Sequence, residues 1–384
     1  MVVEWIDRLS DAFEIHVYSQ NIEDLDLSKF VWHRVSRLPG PHLFNFLWWF
    51  VANRLQRYRD QRSKNIQFDI VFSPGPNCLD ADAVTVHIVF AEFVRRVRPE
   101  LKFIRNPVRL WPRLLHRRMY YKIAMLLERR VFRNLHTQLI LTAPHTSEEI
   151  GRFFGRREVF PVVSTGLDHT VFNPARRCGL RNYARESLGV GEDRFVLLLI
   201  GNDWRKKGLG TLLGALEILP HLPVDLLVAG KDDPGPFLSA IQEKPLKLRV
   251  RFLPSIKDVE RYYAAADAYV GPSLEDTFAM PASEAMACGL PTIISARAGA
   301  SALVTDRFDG LILNDPSDVQ ELANLILLLC ENKQLRERLG RNAAQTAQKY
   351  TWERSTEELV VVFQKILQRK GKRSLLISAA ETGQ

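Results

Sequence analysis

At 384 residues the chain exceeds one typical domain, so two domains are the default. Hydrophobic residues make up 46% and charged residues 25%, which excludes a disordered chain. The formal net charge of +9 suits an anionic partner: a phosphorylated ligand, an acidic membrane face or nucleic acid.

Apolar, β-rich runs alternate along the chain with amphipathic ones. In the first half the predicted strands are Phe13–Ser19, Phe68–Ser73, Ala83–Phe90, Gln138–Thr142 and Val159–Ser164. In the second half they are Phe195–Ile200, Val224–Ala229, Val250–Leu253, Ala268–Gly271, Thr292–Ser295 and Gly310–Leu313. Helical patterns fall between many of them, including Leu209–Leu219, Val259–Ala266 and Val319–Leu329. Continuous apolar strands alternating with helices predict parallel sheets covered on both faces. The expected fold class is therefore α/β, with two doubly wound domains linked near Pro174–Arg185. Open parallel sheets bind ligands beyond the carboxyl ends of their strands, so the loops after strands are where chemistry should lie.

Cys78, Cys178, Cys288 and Cys330 are too scattered for a zinc site or a disulfide framework. The most apolar short run, Leu43–Ala52, falls far short of the roughly 20 residues that span a bilayer, and no signal-peptide pattern opens the chain. The expected location is the cytoplasm. Asp80-Ala81-Asp82 has the spacing of a metal-binding Asp-x-Asp, for which chance is the better explanation; no metal is expected.

The loop after Phe195–Ile200 reads Gly201-Asn202-Asp203-Trp204-Arg205-Lys206-Lys207-Gly208 and opens a helix at Leu209. Free N–H groups and the helix dipole favour anions there, whereas the cations Arg205, Lys206 and Lys207 are unfavourable for the helix itself. A bound diphosphate would account for them; a solvated basic loop is the plainer alternative.

The stretch Gly271–Thr292 reads GPSLEDTFAMPASEAMACGLPT. A strand ends, a polar loop follows, and a helix starts near Pro281 and stops at Gly289, positions that suit proline and glycine. Glu284 lies about one turn into that helix and leans back toward its N-terminus, into the space of the N–H groups of Thr277 to Met280. Phosphate donors and a carboxylate for sugar hydroxyls would converge there. An acid favouring a helix N-terminus through the dipole is the simpler account of Glu284 taken alone.

Asp276, seven intervening residues, Glu284 and then Ala285-Met286-Ala287-Cys288-Gly289-Leu290-Pro291 resemble the signature of glycosyltransferase family 4, the group 1 glycosyltransferases. The family carries Glu at the first acidic position, where this chain has Asp276 beside Glu275. Lys207-Gly208 is similar to the family's donor-phosphate loop. Tyr262-Tyr263-Ala264-Ala265-Ala266-Asp267, with Gly271-Pro272-Ser273, resembles the segment before its acidic motif. Ser164-Thr165-Gly166-Leu167-Asp168 with Phe172-Asn173-Pro174 resembles its interdomain segment, and Tyr350-Thr351-Trp352-Glu353 the start of its last helix.

The resemblance implies a GT-B fold: two facing Rossmann-like domains, 1–180 and 181–350, with 351–384 crossing back to the first. It implies a retaining transferase that moves a sugar from a UDP- or GDP-linked donor to a glycolipid or cell-surface polysaccharide, without a further cofactor. By that resemblance Glu284 would hold the ribose hydroxyls, and Phe278, Ala279 and Met280 would meet the sugar or its phosphates. Lys207, with Lys206 or Arg205, would stabilise the departing diphosphate, and Asp276 would stand in for the first catalytic acid. His87 falls where the family has a histidine facing the donor sugar. Two departures stand out. The family's first strand and Gly-rich loop are missing, the chain opening with the amphipathic Val2–Phe13; and Ala302 stands where many members have Glu. A non-catalytic sugar-nucleotide binder and a nucleotide-sugar epimerase of the same fold are the alternatives.

Between Phe93 and Arg133 there are thirteen Lys/Arg against two acids, Glu100 and Glu128, with Phe93, Phe103, Trp111 and Tyr120 interleaved. Such a segment suits an anionic membrane face carrying a lipid-linked acceptor, which would place the protein peripherally on the inner face of the membrane. A solvated basic face is the bland reading. The charge also fits nucleic acid, but no nucleic-acid motif accompanies it, so none is expected as a partner.

Overall fold

The computed structural model describes residues 1–371 except 24, 102, 104–107, 109–110, 145, 243–244, 275 and 277–278. The chain forms two compact units, Met1–Gly166 with the C-terminal segment from Trp352, and Leu167–Thr351.

In the first unit the elements run α1 (Val2–Leu9), β1 (His16–Ser19), β2 (Val31–Arg34), α2 (His42–Ser63), β3 (Phe72–Pro74), β4 (Ala83–Val86), α3 (Phe90–Val97), α4 (Trp111–Phe132), β5 (Gln138–Leu141) and α5 (Thr146–Phe154). The second unit follows with α6 (Pro174–Ser187), β6 (Phe195–Ile200), α7 (Leu209–Ile218), β7 (Val224–Gly230), α8 (Gly235–Ile241), β8 (Val250–Pro254), α9 (Glu260–Ala265), β9 (Ala268–Gly271), α10 (Met280–Ala287), β10 (Thr292–Ser295), β11 (Leu311–Leu313), α11 (Val319–Glu331) and α12 (Lys333–Ala347). Helix α13 (Trp352–Arg369) returns to the first unit.

The second unit is built on one six-stranded parallel sheet, ordered β11-β10-β9-β6-β7-β8. Its central strands are apolar, apart from Asp225 at the start of β7, because both faces are covered. Leu197, Leu199 and Val228 pack with α7 and α11 residues such as Leu212 and Ile326. Val196, Leu198 and Leu227 pack on the other face with Tyr263, Ala282 and Ala285. The predicted strands Phe195–Ile200, Ala268–Gly271 and Thr292–Ser295 are reproduced end to end.

The first unit is less regular. Among the described residues its parallel strands form one sheet of two, β1-β2, and one of three, β3-β4-β5. Residues of β1 and of β3 line one cavity of about 490 Å³, closed by α2 through Phe46, Trp49 and Asn53. Helices α1 and α13 share one face of β3 and β4: Trp5, Leu9, Ala83, Leu359 and Phe363 form a single cluster. The Trp5 indole donates to Ser355 Oγ at 2.9 Å, tying residue 5 to the last helix.

Several sequence expectations shift. The expected linker Pro174–Arg185 is instead helix α6, and the boundary falls after Gly166 rather than after residue 180. Asn173 caps that helix by accepting from the Arg176 N–H at 2.8 Å, and Pro174 opens it. Arg181 then donates to Asp267 Oδ1 at 2.6 Å, and Arg177 to Ala266 O at 3.0 Å, fastening α6 to the second unit. The predicted strand Val159–Ser164 shrinks to one bridge, Leu141 with Val162, since Pro161 has no N–H to contribute. The run Ala83–Phe90 stops at Val86, because Phe90 and Ala91 begin α3 and donate to the buried carboxylate of Glu128. Strand β2 escaped the sequence reading: its buried polar residue, His33, is held by Asp60 at 2.8 Å rather than by an apolar core.

Candidate functional site

The two loops singled out from the sequence meet at the carboxyl ends of neighbouring strands, β6 and β9. The first leaves β6 at Gly201 and reaches α7 through Gly208, whose φ of +77° caps the helix. A Cβ at Gly208 would lie 1.9 Å from the Pro272 carbonyl oxygen, so only glycine lets the loops pack this closely. The Leu274 N–H donates to Lys206 O at 2.8 Å, a backbone bond joining the two loops. Trp204 anchors the first loop from below: it is buried, its backbone N–H donates to Asp232 Oδ2 at 2.6 Å, and its ring packs on Phe252.

Each lysine of the basic loop has a carboxylate partner. Lys206 pairs with Asp203 at 2.6 Å, and Lys207 with Asp276. Arg205 is exposed. The cations that conflict with a helix start are thus compensated within the protein, although an exposed pair such as Lys206–Asp203 contributes little and yields easily to a stronger anion.

Asp276 is the hinge of the site. One carboxylate oxygen meets Lys207, and the other accepts from the Ala279 N–H at 3.2 Å. Its backbone oxygen accepts from the Gly299 N–H at 3.1 Å, which fixes the loop against the turn after β10. Ala279 caps α10 with φ 59° and ψ 56°. That left-handed conformation costs a non-glycine residue about 1–2 kcal/mol, a strain of the kind that clusters at ligand-binding loops. Met280 is the first residue of α10, and the helix closes at Gly289 (φ +70°) with the Leu290 N–H donating to Ala285 O at 2.9 Å. Phe278 lies outside the described residues.

Glu284 stands on α10, half-buried, and desolvation raises its pKa. The Tyr263 hydroxyl donates to Glu284 Oε2 at 2.6 Å and opposes that shift. Sequence reasoning noted Tyr263 within its motif but gave it no role. The signal was available: a buried tyrosine needs a partner for its hydroxyl.

Lys207, Asp276, Ala279 and Glu284 therefore gather on one edge of the second unit. His87 belongs to the first unit, just past β4, where its Nε2 lies 3.3 Å from Thr85 Oγ1 and burial lowers its pKa. The Asp-x-Asp carboxylates are separately engaged, Asp80 by Arg57 at 2.6 Å and Asp82 by Lys370 at 2.7 Å.

Residues 181–346 match the family described as glycosyl transferases group 1. A D-inositol 3-phosphate glycosyltransferase of Saccharomonospora viridis is 30% identical over 219 residues, which is 53% of this chain and 50% of that protein. The chain thus spans about half the length of the curated relatives it matches. Among solved structures, the crystal structure of WaaG, a glycosyltransferase involved in lipopolysaccharide biosynthesis, superposes with a TM-score of 0.74 at 20% identity, covering 94% of each chain. Anabaena HepE in complex with UDP-glucose superposes with a TM-score of 0.67 at 19% identity, covering 96% of this chain and 94% of that one. At these identities the two structures establish the fold, GT-B. The matched residues 181–346 carry the Lys207–Asp276–Glu284 constellation, so the likeness to the glycosyl transferases group 1 family falls on the part of the chain that holds the candidate site.

Proposed function

We propose that the protein is a retaining glycosyltransferase that moves a sugar from a nucleotide-diphosphate donor to a glycolipid or cell-surface polysaccharide acceptor. The observation that carries this reading is the junction of Lys207 with Asp276 beside the N-terminus of α10 and Glu284. Breaking the glycosyl–phosphate bond builds negative charge on the leaving phosphate. A fixed ammonium group and helix N-terminal N–H groups aimed at that charge stabilise it more than they stabilise the ground state. Lys207 serves this role, exchanging Asp276 for the diphosphate when the donor arrives. Asp276 is thereby freed toward the sugar, and Glu284 accepts from the ribose hydroxyls. The nucleotide is uridine or guanosine diphosphate; HepE, of the same fold, is known with UDP-glucose.

The thermal midpoint measured against a panel of UDP- and GDP-sugars tests the donor site, because a ligand that binds only the native state raises it. A rise with at least one donor is expected; no rise with any of them sinks the reading.

For the acceptor side we propose that α4 rests on an anionic membrane face at the inner surface. Trp111, Leu115, Met119 and Leu126 recur at helical spacing, and all four are exposed, Leu126 at 65%. Exposed Arg118, Lys122 and Arg129 border them. Apolar side chains framed by cations on one helix face suit the boundary between headgroups and acyl chains. Co-sedimentation with vesicles containing phosphatidylglycerol, and its loss with purely zwitterionic vesicles, is the expected result. Equal failure with both removes α4 from the acceptor side.

A further inference from the structure

Two adjacent tyrosines of α9 make opposite use of their hydroxyls. Tyr262 donates to the Pro254 carbonyl at 2.8 Å, a bond that serves the fold alone. Tyr263 lies on the next face of the helix, fully buried at 0% exposure, with its ring edge-on to Phe172 at 5.7 Å. Its hydroxyl sits 2.6 Å from Glu284 Oε2 and 3.2 Å from Pro281 O. Among the described residues no other hydrogen bond reaches the Glu284 carboxylate. Glu284 is half-buried, so with Oε2 held by Tyr263 its other oxygen, Oε1, is open to a ligand's hydroxyl groups.

We propose that Tyr263 is a positioning residue for the donor: it holds Glu284 Oε2 so that Oε1 is presented to the vicinal hydroxyls of the nucleotide's ribose. This rests on the reading of Glu284 as the ribose contact. The packed ring cannot swing, so the hydroxyl fixes the carboxylate rotamer before the ligand arrives and spares the complex that ordering cost. The groups facing Glu284 are Tyr263 from α9, Tyr269 from β9 and Cys288 from its own helix. None of them is a cation, so the Tyr263 hydroxyl is what opposes the effect of burial on the Glu284 pKa. Ribose hydroxyls donate to the ionised form, so binding is lost as pH falls through the Glu284 pKa. Removing the Tyr263 hydroxyl raises that pKa and moves the loss to higher pH.

The test compares the intact protein with Tyr263→Phe and Tyr262→Phe. Titration calorimetry over a pH series uses UDP, GDP and their 2′,3′-dideoxy forms. Tyr263→Phe is expected to weaken the ribonucleotide about tenfold, the cost of one hydrogen bond to a charged group. The dideoxy form should be weakened no more than by Tyr262→Phe, and the acid limb should move upward for Tyr263→Phe alone. Equal affinity in Tyr263→Phe and the parent overturns the proposal, as does an equal loss for ribo- and dideoxy forms, which would mark a merely structural role. If the parent binds neither nucleotide, the donor-site reading falls and takes this proposal with it.

Discussion

The second unit gathers its strands into one six-stranded sheet, whereas the strands of the first unit fall into sheets of two and three among the described residues. The contrast follows from sequence. Strands β6 and β7 are runs of six and seven residues in which nearly every side chain is buried. Strand β1 has no fully buried residue, and β2 only one. Apolar area removed from water is what drives a parallel sheet together, at roughly 25 cal/mol per Å². The first unit draws on other sources: α1 and α13 clamped through Trp5, and buried polar pairs such as His33–Asp60. A continuous sheet places its loop ends reproducibly, and the loops that bring Lys207 to Asp276 both leave that sheet.

The largest test of this division is Lys207→Ala. The substitution removes the cation from the junction but touches none of the core clusters of the second unit. Transfer should fall a hundredfold to a thousandfold, the range found when one donor to a developing oxyanion is lost. Because both side chains of the Lys207–Asp276 pair are mostly buried, removing the lysine leaves the carboxylate uncompensated, so the melting temperature should fall by several degrees while the fold is kept. Initial rates with the best donor, alongside a thermal melt, check both halves. Turnover equal to the parent's would take Lys207 out of the site.

The same contrast explains what could be read from the sequence. In the second unit the strand ends were legible because buried strands are unbroken apolar runs, and α10 because Pro281 and Gly289 punctuate it. The acidic motif and the basic loop were legible one at a time. Their pairing was not: Lys207 and Asp276 are 69 residues apart, and only the neighbouring positions of β6 and β9 bring them together. The link between Tyr263 and Glu284 was only half legible: a core tyrosine needs a partner for its hydroxyl, but the sequence does not say which one. In the first unit β2 was invisible, its buried member being a histidine; in the second, α6 was mistaken for a linker because its arginines read as a polar stretch. Those arginines in fact bond to Asp267 and to carbonyl groups at the end of α9. Polar residues that hold an element through hydrogen bonds carry no hydrophobic period, so pattern reading passes over them.

A second prediction concerns the pH dependence of the first unit. Glu128 is buried and caps α3, accepting from Phe90 and Ala91 at 2.5 and 2.9 Å. Burial raises its pKa from 4.5 to about 7, the two N–H groups oppose the shift, and Glu149 adds to it. Because the folded pKa lies above the unfolded one, the contribution to stability is full below pH 4.5 and is lost as pH rises through about 7. At 1.36 kcal/mol per pKa unit the swing is about 3 kcal/mol. Glu128→Gln cannot ionise and should flatten that part of the stability profile, as urea unfolding at a series of pH values would reveal. A variant profile that still falls between pH 5 and 7 as steeply as the parent's would assign the slope to other groups.

The smallest expected effect comes from the clamp itself. Trp5→Phe keeps an aromatic ring among Leu9, Ala83 and Phe363 but removes the indole donor to Ser355, a buried residue of α13. Ser355 Oγ then loses its donor, and the smaller ring leaves part of the space unfilled. The combined loss is about 1–2 kcal/mol. If the first unit owes its cohesion to this clamp, circular dichroism should report an earlier unfolding midpoint while nucleotide affinity stays at the parent value, because Trp5 and Ser355 both belong to the first unit. A loss of nucleotide affinity without a loss of stability would reverse the division of labour argued here, making the first unit a direct contributor to donor binding.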